Sequence, residues 1–167
     1  MEQPNWWLIP AVALIPLVVG SIWYNPKVFG NAWMRTAEIS EERASSGNMA
    51  KILGLSYLFC LFGAYILSTT AVHQSAVMQL FFGDPAMNDP ASSISVFLND
   101  FMNTYGSRHR TFGHGLIHGM ELALMLGLCL IGVNSMFERR PFKYVIIHVG
   151  FWVLSFGLMG GLLCQYF

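Results

Sequence analysis

Long apolar stretches alternate with shorter polar segments along this chain. A helix needs about 20 mostly apolar residues to cross about 30 Å of hydrocarbon, and each of the four stretches is long enough. They run from Trp6 to Tyr24, Ile52 to Val77, Gly113 to Met136 and Tyr144 to Cys164. The pattern predicts an all-α integral membrane protein, a four-helix transmembrane bundle that forms a single transmembrane domain over residues 1–167.

The segment between the second and third stretches, residues 78–112, is the longest polar region. After Ser92 its apolar residues recur at helical spacing, which predicts a short amphipathic helix. These positions are Ile94, Phe97, Leu98, Phe101, Met102 and Tyr105. We expect this helix to lie on the outer membrane interface or to cap the bundle.

Two further signals concern the ends and the shape of helices. Pro10 and Pro16 lie inside the first stretch and predict a kinked span. Ser40, followed by Glu41 and Glu42, is typical of a helix start, so a short helix is expected in the first loop.

The composition is typical of an integral membrane protein. Hydrophobic residues make up 54% of the chain and charged residues 11%, whereas soluble domains carry about 25% charged residues. The formal net charge is zero, which gives no indication of a nucleic-acid partner. The lipid bilayer is therefore the first expected partner.

The basic residues predict the orientation. Seven of the nine lie in the first and third loops, and the positive-inside rule assigns those loops to the cytoplasm. They are Lys27, Arg35, Arg43, Lys51, Arg139, Arg140 and Lys143. Both termini and the loop 78–112 would then be extracytoplasmic. No basic stretch precedes Trp6, so we expect the first span to be retained rather than removed as a signal.

Ionisable residues inside a span are costly and indicate a functional site by default. His114, His118 and Glu121 are spaced by four and three residues, which places them on one face of a helix. His109 lies just upstream, and His73 is predicted at a similar depth near the outer end of the second span. These five residues are the candidate site.

Three interpretations of the candidate site remain open. A divalent metal could be bound by His114 and His118, with Glu121, His73 or His109 completing the shell. Haem b could be held between facing histidines of two spans, because there is no CxxCH motif for covalent attachment. The simplest interpretation is structural: the side chains pair with one another and with backbone carbonyls.

Small residues predict how the third and fourth spans pack. Gly115 and Gly119 form a Gly-xxx-Gly pair, and Gly157 and Gly161 form another. Such pairs allow two helix backbones to approach closely in a membrane. We therefore expect these two spans to be neighbours.

The remaining polar groups in the spans are expected to be structural. Cys60, Cys129 and Cys164 all lie within predicted spans, where cysteine behaves as a small buried residue. His148 and Asn134 lie at similar depths in the fourth and third spans. We expect an interhelical hydrogen bond between them.

Two blocks of residues resemble a known family. The first is Gly20-x-x-Trp23-Tyr24-x-Pro26-x-x-Phe29-Gly30-x-x-Trp33-Met34, and the second runs from Arg110-Thr111-Phe112-Gly113-His114-Gly115-x-x-His118-Gly119 to Tyr144. Together they resemble the DUF1761 family of small bacterial integral membrane proteins, with the longer members found in Bacteroidota. The resemblance implies a bacterial inner-membrane protein of about four spans. It implies no particular activity.

The sequence leads to an ordered set of functional hypotheses. The first is a non-enzymatic protein that acts as an accessory subunit of a membrane complex or as a homo-oligomer. The alternative is a metal- or haem-binding membrane protein whose His/Glu site lies at the outer face. The second alternative is a small proton-coupled transporter in which Glu121 carries the proton.

Overall fold

The computed structural model describes residues 4–167, and residues 1–3 lie outside it. Within this range the protein contains helices and loops and no β-strand. Three helices are long and apolar enough to cross a membrane: Met49–Thr70, Phe112–Phe137 and Phe142–Tyr166. The expectation of an all-α protein is thus confirmed for the described residues, and three of the four apolar stretches contain a helix that could span a membrane.

We number the helices of the described residues in chain order. They are α1 Leu8–Val12, α2 Ile15–Trp23, α3 Gly30–Ala37, α4 Glu41–Ser45, α5 Met49–Thr70, α6 His73–Leu80, α7 Ser93–Tyr105, α8 Phe112–Phe137 and α9 Phe142–Tyr166. A short 3₁₀ helix, Pro85–Asn88, lies between α6 and α7, and α8 contains a π-helical turn at Leu128–Gly132.

The first apolar stretch is broken between α1 and α2, as its prolines predict. Pro16 has no amide hydrogen to donate to the carbonyl of Val12, so the helix is interrupted there. Together α1 and α2 span Leu8–Trp23, a length of about 24 Å at 1.5 Å per residue. This is shorter than a typical hydrocarbon core of about 30 Å, so a fourth span remains a prediction.

The sequence predicted that the second apolar stretch forms one helix up to Val77. This prediction is wrong. Helix α5 ends at Thr70, and in its last turn the hydroxyls of Ser68 and Thr70 bond back to carbonyls of the preceding turn at 2.7 and 2.9 Å. Val72 is extended, and α6 starts in a new direction. The Ser75 hydroxyl donates to the freed carbonyl of Ser68 at 3.1 Å and stabilises the break.

Helices α8 and α9 form the most extensive helix pair, as the glycine spacing predicts. A Cβ atom on Gly119 or Gly115 would collide with carbonyl groups of α9. Gly160 is the glycine that faces Gly115, whereas Gly157 and Gly161 contact side chains of α8. The predicted packing is therefore correct, although the sequence singled out two glycines beside the one that makes the closest approach.

Helix α9 lies at the centre of the molecule and packs against α1, α2, α5 and α8. Half of the residues in its most apolar 18-residue segment are buried, compared with 22% in the corresponding segment of α5 and 17% in that of α8. Cys60 and Cys164 are buried as expected, but Cys129 is exposed on α8. The central core consists of Val12, Ala13, Cys60, Ala64, Leu67, Met159 and Leu163.

The two helices predicted in the loops are both present. Ser92 caps α7 by accepting a hydrogen bond from the amide of Ser95, and Leu98 on its inner face is fully buried. Ser40 caps α4 in the same way through the amide of Arg43.

The end of α2 is fixed to α9 by two side chains. The Trp23 indole donates to the carbonyl of Ile147 at 3.1 Å, and the Tyr24 hydroxyl lies 3.0 Å from Nδ1 of His148. The expected His148–Asn134 bond is wrong, because Asn134 is exposed and His148 points toward α2. Aromatic residues of the first loop complete this junction.

Candidate metal centre

Helix α8 supplies two of the histidines of the site. Thr111 precedes the helix, and its hydroxyl accepts a hydrogen bond from the amide of His114, which starts the first turn. His118 follows one turn later and therefore projects from the same face. Both side chains are partly buried.

The break after α5 supplies the third histidine. His73 is the first residue of α6, so its position depends on the break at Ala71 and Val72, which are both buried. The buried Gln74 donates hydrogen bonds to the carbonyls of Tyr105 and Arg108 at 2.9 and 2.8 Å. These bonds fix α6 against the segment that leads into α8.

The three histidines form a compact cluster, which we call the histidine cluster. Nε2 of His73 and Nε2 of His114 lie 2.9 Å apart, and Nε2 of His118 lies 3.0 Å from the same His114 atom. Each residue offers one ring nitrogen such that all three lie within 4.8 Å of one another. The ring centroids are 4.5–5.0 Å apart.

Hydrogen bonding alone does not account for this geometry. A ring nitrogen of imidazole carries either one hydrogen or one lone pair, so Nε2 of His114 makes one good hydrogen bond and not two. Two neighbours nevertheless approach this atom within 3.0 Å. A cation that accepts the lone pairs of all three nitrogens satisfies every ring at once.

His109 lies beside the cluster rather than in it. Its ring stacks on that of His114 with 4.9 Å between centroids, and its centroid is 6.3 Å from that of His73. Its backbone has a left-handed φ of 62°, an uncommon conformation for a residue other than glycine. Its carbonyl accepts hydrogen bonds from Cys164 Sγ and from the amide of Thr111, which stabilise this conformation.

Glu121 is on the far side of His118. Its Oε2 lies 3.9 Å from Nδ1 of His118, whereas Nε2 of that ring points to the cluster. The carboxylate therefore lies beside Nδ1 of His118, beyond hydrogen-bond distance, and not among the three clustered nitrogens.

His73, the exposed member of the histidine cluster, favours its neutral form. Desolvation, followed by the positive charges of His118 and His109, lowers the pKa of His73 below its ordinary value. Neutral imidazole is the form that ligates metals. The direct contact between Nε2 of His73 and Nε2 of His114 leaves no room for a porphyrin between them, so the arrangement does not fit the haem hypothesis.

The sequence pattern indicated all three histidines of the histidine cluster but not the residues that position them. Gln74 and the bend at Ala71–Val72 were assigned to a continuous span. The run of hydroxyl residues from Ser68 to Thr70 was the signal available, since such side chains compete for backbone carbonyls at a helix end.

Comparisons with known proteins add the family and no activity. The chain matches the family model described as "Protein of unknown function (DUF1761)" over residues 7–164. Comparisons with curated proteins and with solved structures gave no match. The matched range includes the whole histidine cluster as well as His109 and Glu121. The chain therefore belongs to the DUF1761 family of proteins of unknown function.

Proposed function

We propose that this protein is an integral membrane protein that binds one divalent metal ion, with zinc as the best fit, through His73, His114 and His118. The observation that carries the proposal is the convergence of two ring nitrogens on a single nitrogen of His114, at 2.9 and 3.0 Å. This geometry moves metal binding ahead of the purely structural interpretation that the sequence favoured.

The spacing of the nitrogens supports a tetrahedral ion. Zinc–nitrogen bonds of about 2.0–2.1 Å at tetrahedral angles separate ligand nitrogens by roughly 3.3 Å. Two pairs in the histidine cluster are slightly closer than this, and the third lies within 4.8 Å. Small side-chain rotations are enough to open the first two contacts and close the third. Three imidazoles are also a ligand set that suits zinc.

We assign the fourth position to His109 and an orienting role to Glu121. The ring of His109 lies beside the histidine cluster, stacked on His114, and it has to turn to direct a nitrogen at the ion. Its backbone is fixed by Cys164 and Thr111. Four nitrogen ligands close the site, which is typical of a structural zinc. A closed site of this kind supports a non-enzymatic role. Glu121 would accept from Nδ1–H of His118 and thereby keep the lone pair of Nε2 directed at the ion.

The site would lie at the outer face of a bacterial inner membrane. Arg140 and Glu38 form an ion pair at 3.0 Å that joins the two basic loops at one end of the molecule. The positive-inside rule assigns that end to the cytoplasm. With α1 and α2 as a fourth span, both termini and the histidine cluster are extracytoplasmic. The bacterial origin rests on the family resemblance.

Metal analysis of the purified protein tests the proposal. The protein is extracted in mild detergent without chelator or polyhistidine tag, and bound metals are measured by mass spectrometry. We expect about one zinc per chain in the wild type and almost none in His118→Ala. His148→Gln, which changes a histidine remote from the cluster, should retain the metal. Equal metal content in all three proteins, or none in any, would overturn the proposal.

A further inference from the structure

Helix α8 exposes a face that points directly away from the rest of the protein. Its buried stripe, which packs on α9, consists of Gly115, Gly119, Ala123 and Gly127. The opposite face carries Ile117, Glu121, Leu124 and Leu128, of which the three apolar side chains are 46–63% exposed. Only 17% of the most apolar 18-residue segment of α8 is buried.

Glu121 is an unfavourable residue on a helix face that contacts lipid, because its side chain is ionisable. It lies nine residues after Phe112, which corresponds to about 13 Å along the helix from its outer end at 1.5 Å per residue. Its side chain is 54% exposed, and the nearest basic group, Nδ1 of His118, is 3.9 Å away. An ionisable side chain at this depth almost always faces protein or water rather than lipid.

The exposed face of α5 provides the contrast. It carries large side chains such as Leu55, Phe59, Phe62 and Ile66, which are 45–64% exposed. No Asp, Glu, Lys or Arg occurs from Ile52 to Thr70. This face needs no cover other than lipid tails.

We propose that a second copy of the chain packs on the Glu121 face of α8, and that the two copies are related by a two-fold axis along the membrane normal. Such an axis brings the same patch of each copy together at the same depth. Ile117, Leu124 and Leu128 of the two copies then pack around the paired Glu121 side chains.

The charges on this face make a second copy the fitting occupant. His118 is 31% exposed and lies one turn from Glu121 toward the outer surface. One oxygen of each carboxyl group faces Nδ1 of its own His118. The other oxygen is free to share a hydrogen with the Glu121 carboxyl group of the second copy, so the face is complementary to itself. Interhelical hydrogen bonds of this kind stabilise helix association in membranes. The inference does not depend on metal binding, because Nε2 of His118, the proposed ligand atom, takes no part in the contact between the copies.

Disulfide cross-linking in membranes tests the inference. Leu124→Cys places a thiol on the proposed interface, and Leu58→Cys places one on the exposed face of α5. The two positions are matched, since Leu124 is 46% and Leu58 45% exposed and each lies the same number of residues from the outer end of its helix. Both variants carry Cys129→Ser, because Cys129 is the exposed native thiol of the described residues.

We expect oxidation to give several times more covalent dimer from Leu124→Cys than from Leu58→Cys, with twice the chain mass of 18.7 kDa. Adding Glu121→Leu should reduce the dimer several-fold, whereas Glu121→Gln, which retains hydrogen bonding, should preserve it. Equal yields at the two cysteine positions, no dimer at Leu124→Cys, or a product containing a different protein would overturn the inference. So would full cross-linking in the presence of Glu121→Leu.

Discussion

The contact between α8 and α9 leads to a quantitative prediction for Gly119→Ala. A Cβ atom on Gly119 would collide with the carbonyl group of Phe156 and approach the amide of Gly157 at 3.0 Å. The colliding atoms belong to the backbone, so a side-chain rotation cannot relieve the clash. The two helices must move apart.

Overpacking of this kind costs about 1–3 kcal/mol or somewhat more. Since 1 kcal/mol corresponds to about 2–4 °C for a protein of 150–250 residues, the apparent melting temperature should fall by about 2–12 °C. The assay is thermal unfolding in mild detergent, followed by circular dichroism. Separation of the helices should also weaken zinc binding, because α8 carries two of the three clustered histidines.

Gly113→Ala is the matched control for this experiment. Gly113 lies on the same helix, but an added Cβ there meets no atom within 4 Å. The control should be neutral or slightly stabilising, since alanine favours a helix over glycine by up to about 1 kcal/mol. If Gly119→Ala and Gly113→Ala unfold at the same temperature, the close packing of α8 on α9 is incorrect.

Three further predictions concern the histidine cluster, the topology and the contact between the end of α2 and α9. Glu121→Gln should weaken zinc affinity about 10–100-fold in a competition titration, and unchanged affinity would exclude an orienting role for the carboxylate. A membrane-impermeant maleimide should label Ser107→Cys in intact spheroplasts and Ser45→Cys after permeabilisation alone, and the reverse pattern would invert the topology. Tyr24→Phe removes the partner of Nδ1 of His148 at 3.0 Å and should reduce the free energy of unfolding by about 1–3 kcal/mol; thermal unfolding at the wild-type temperature would contradict this role.

The sequence predicted those parts of the fold that follow from a long repeated pattern. The third and fourth spans are uniformly apolar, and the structure contains them as α8 and α9. The i, i+4 spacing of His114 and His118 also required nothing beyond helical geometry. Both predictions depend on residues close together in the chain.

The parts that the sequence did not predict depend on side-chain hydrogen bonds that the apolar pattern does not reveal. The end of α5 was placed too late, because Ala71 and Val72 continue the apolar pattern while Ser75 bonds back to Ser68. The partner of His148 was wrong, because nothing in the pattern reveals that the Tyr24 hydroxyl reaches it.

The arrangement of the histidines was likewise beyond the sequence. His73 and His114 are separated by 41 positions, yet their Nε2 atoms lie 2.9 Å apart. The bend at the end of α5 and the two hydrogen bonds of Gln74 create this approach.

X-ray absorption at the zinc edge of the purified protein tests the central claim most directly, because it counts the atoms bound to the metal. We predict a shell of three or four histidine nitrogens at about 2.0–2.1 Å. Loss of one nitrogen in His73→Ala would identify α6 as a contributor to the site. A shell of oxygen atoms alone, a sulfur ligand at about 2.3 Å, or a His73→Ala spectrum identical to that of the wild type would contradict the account.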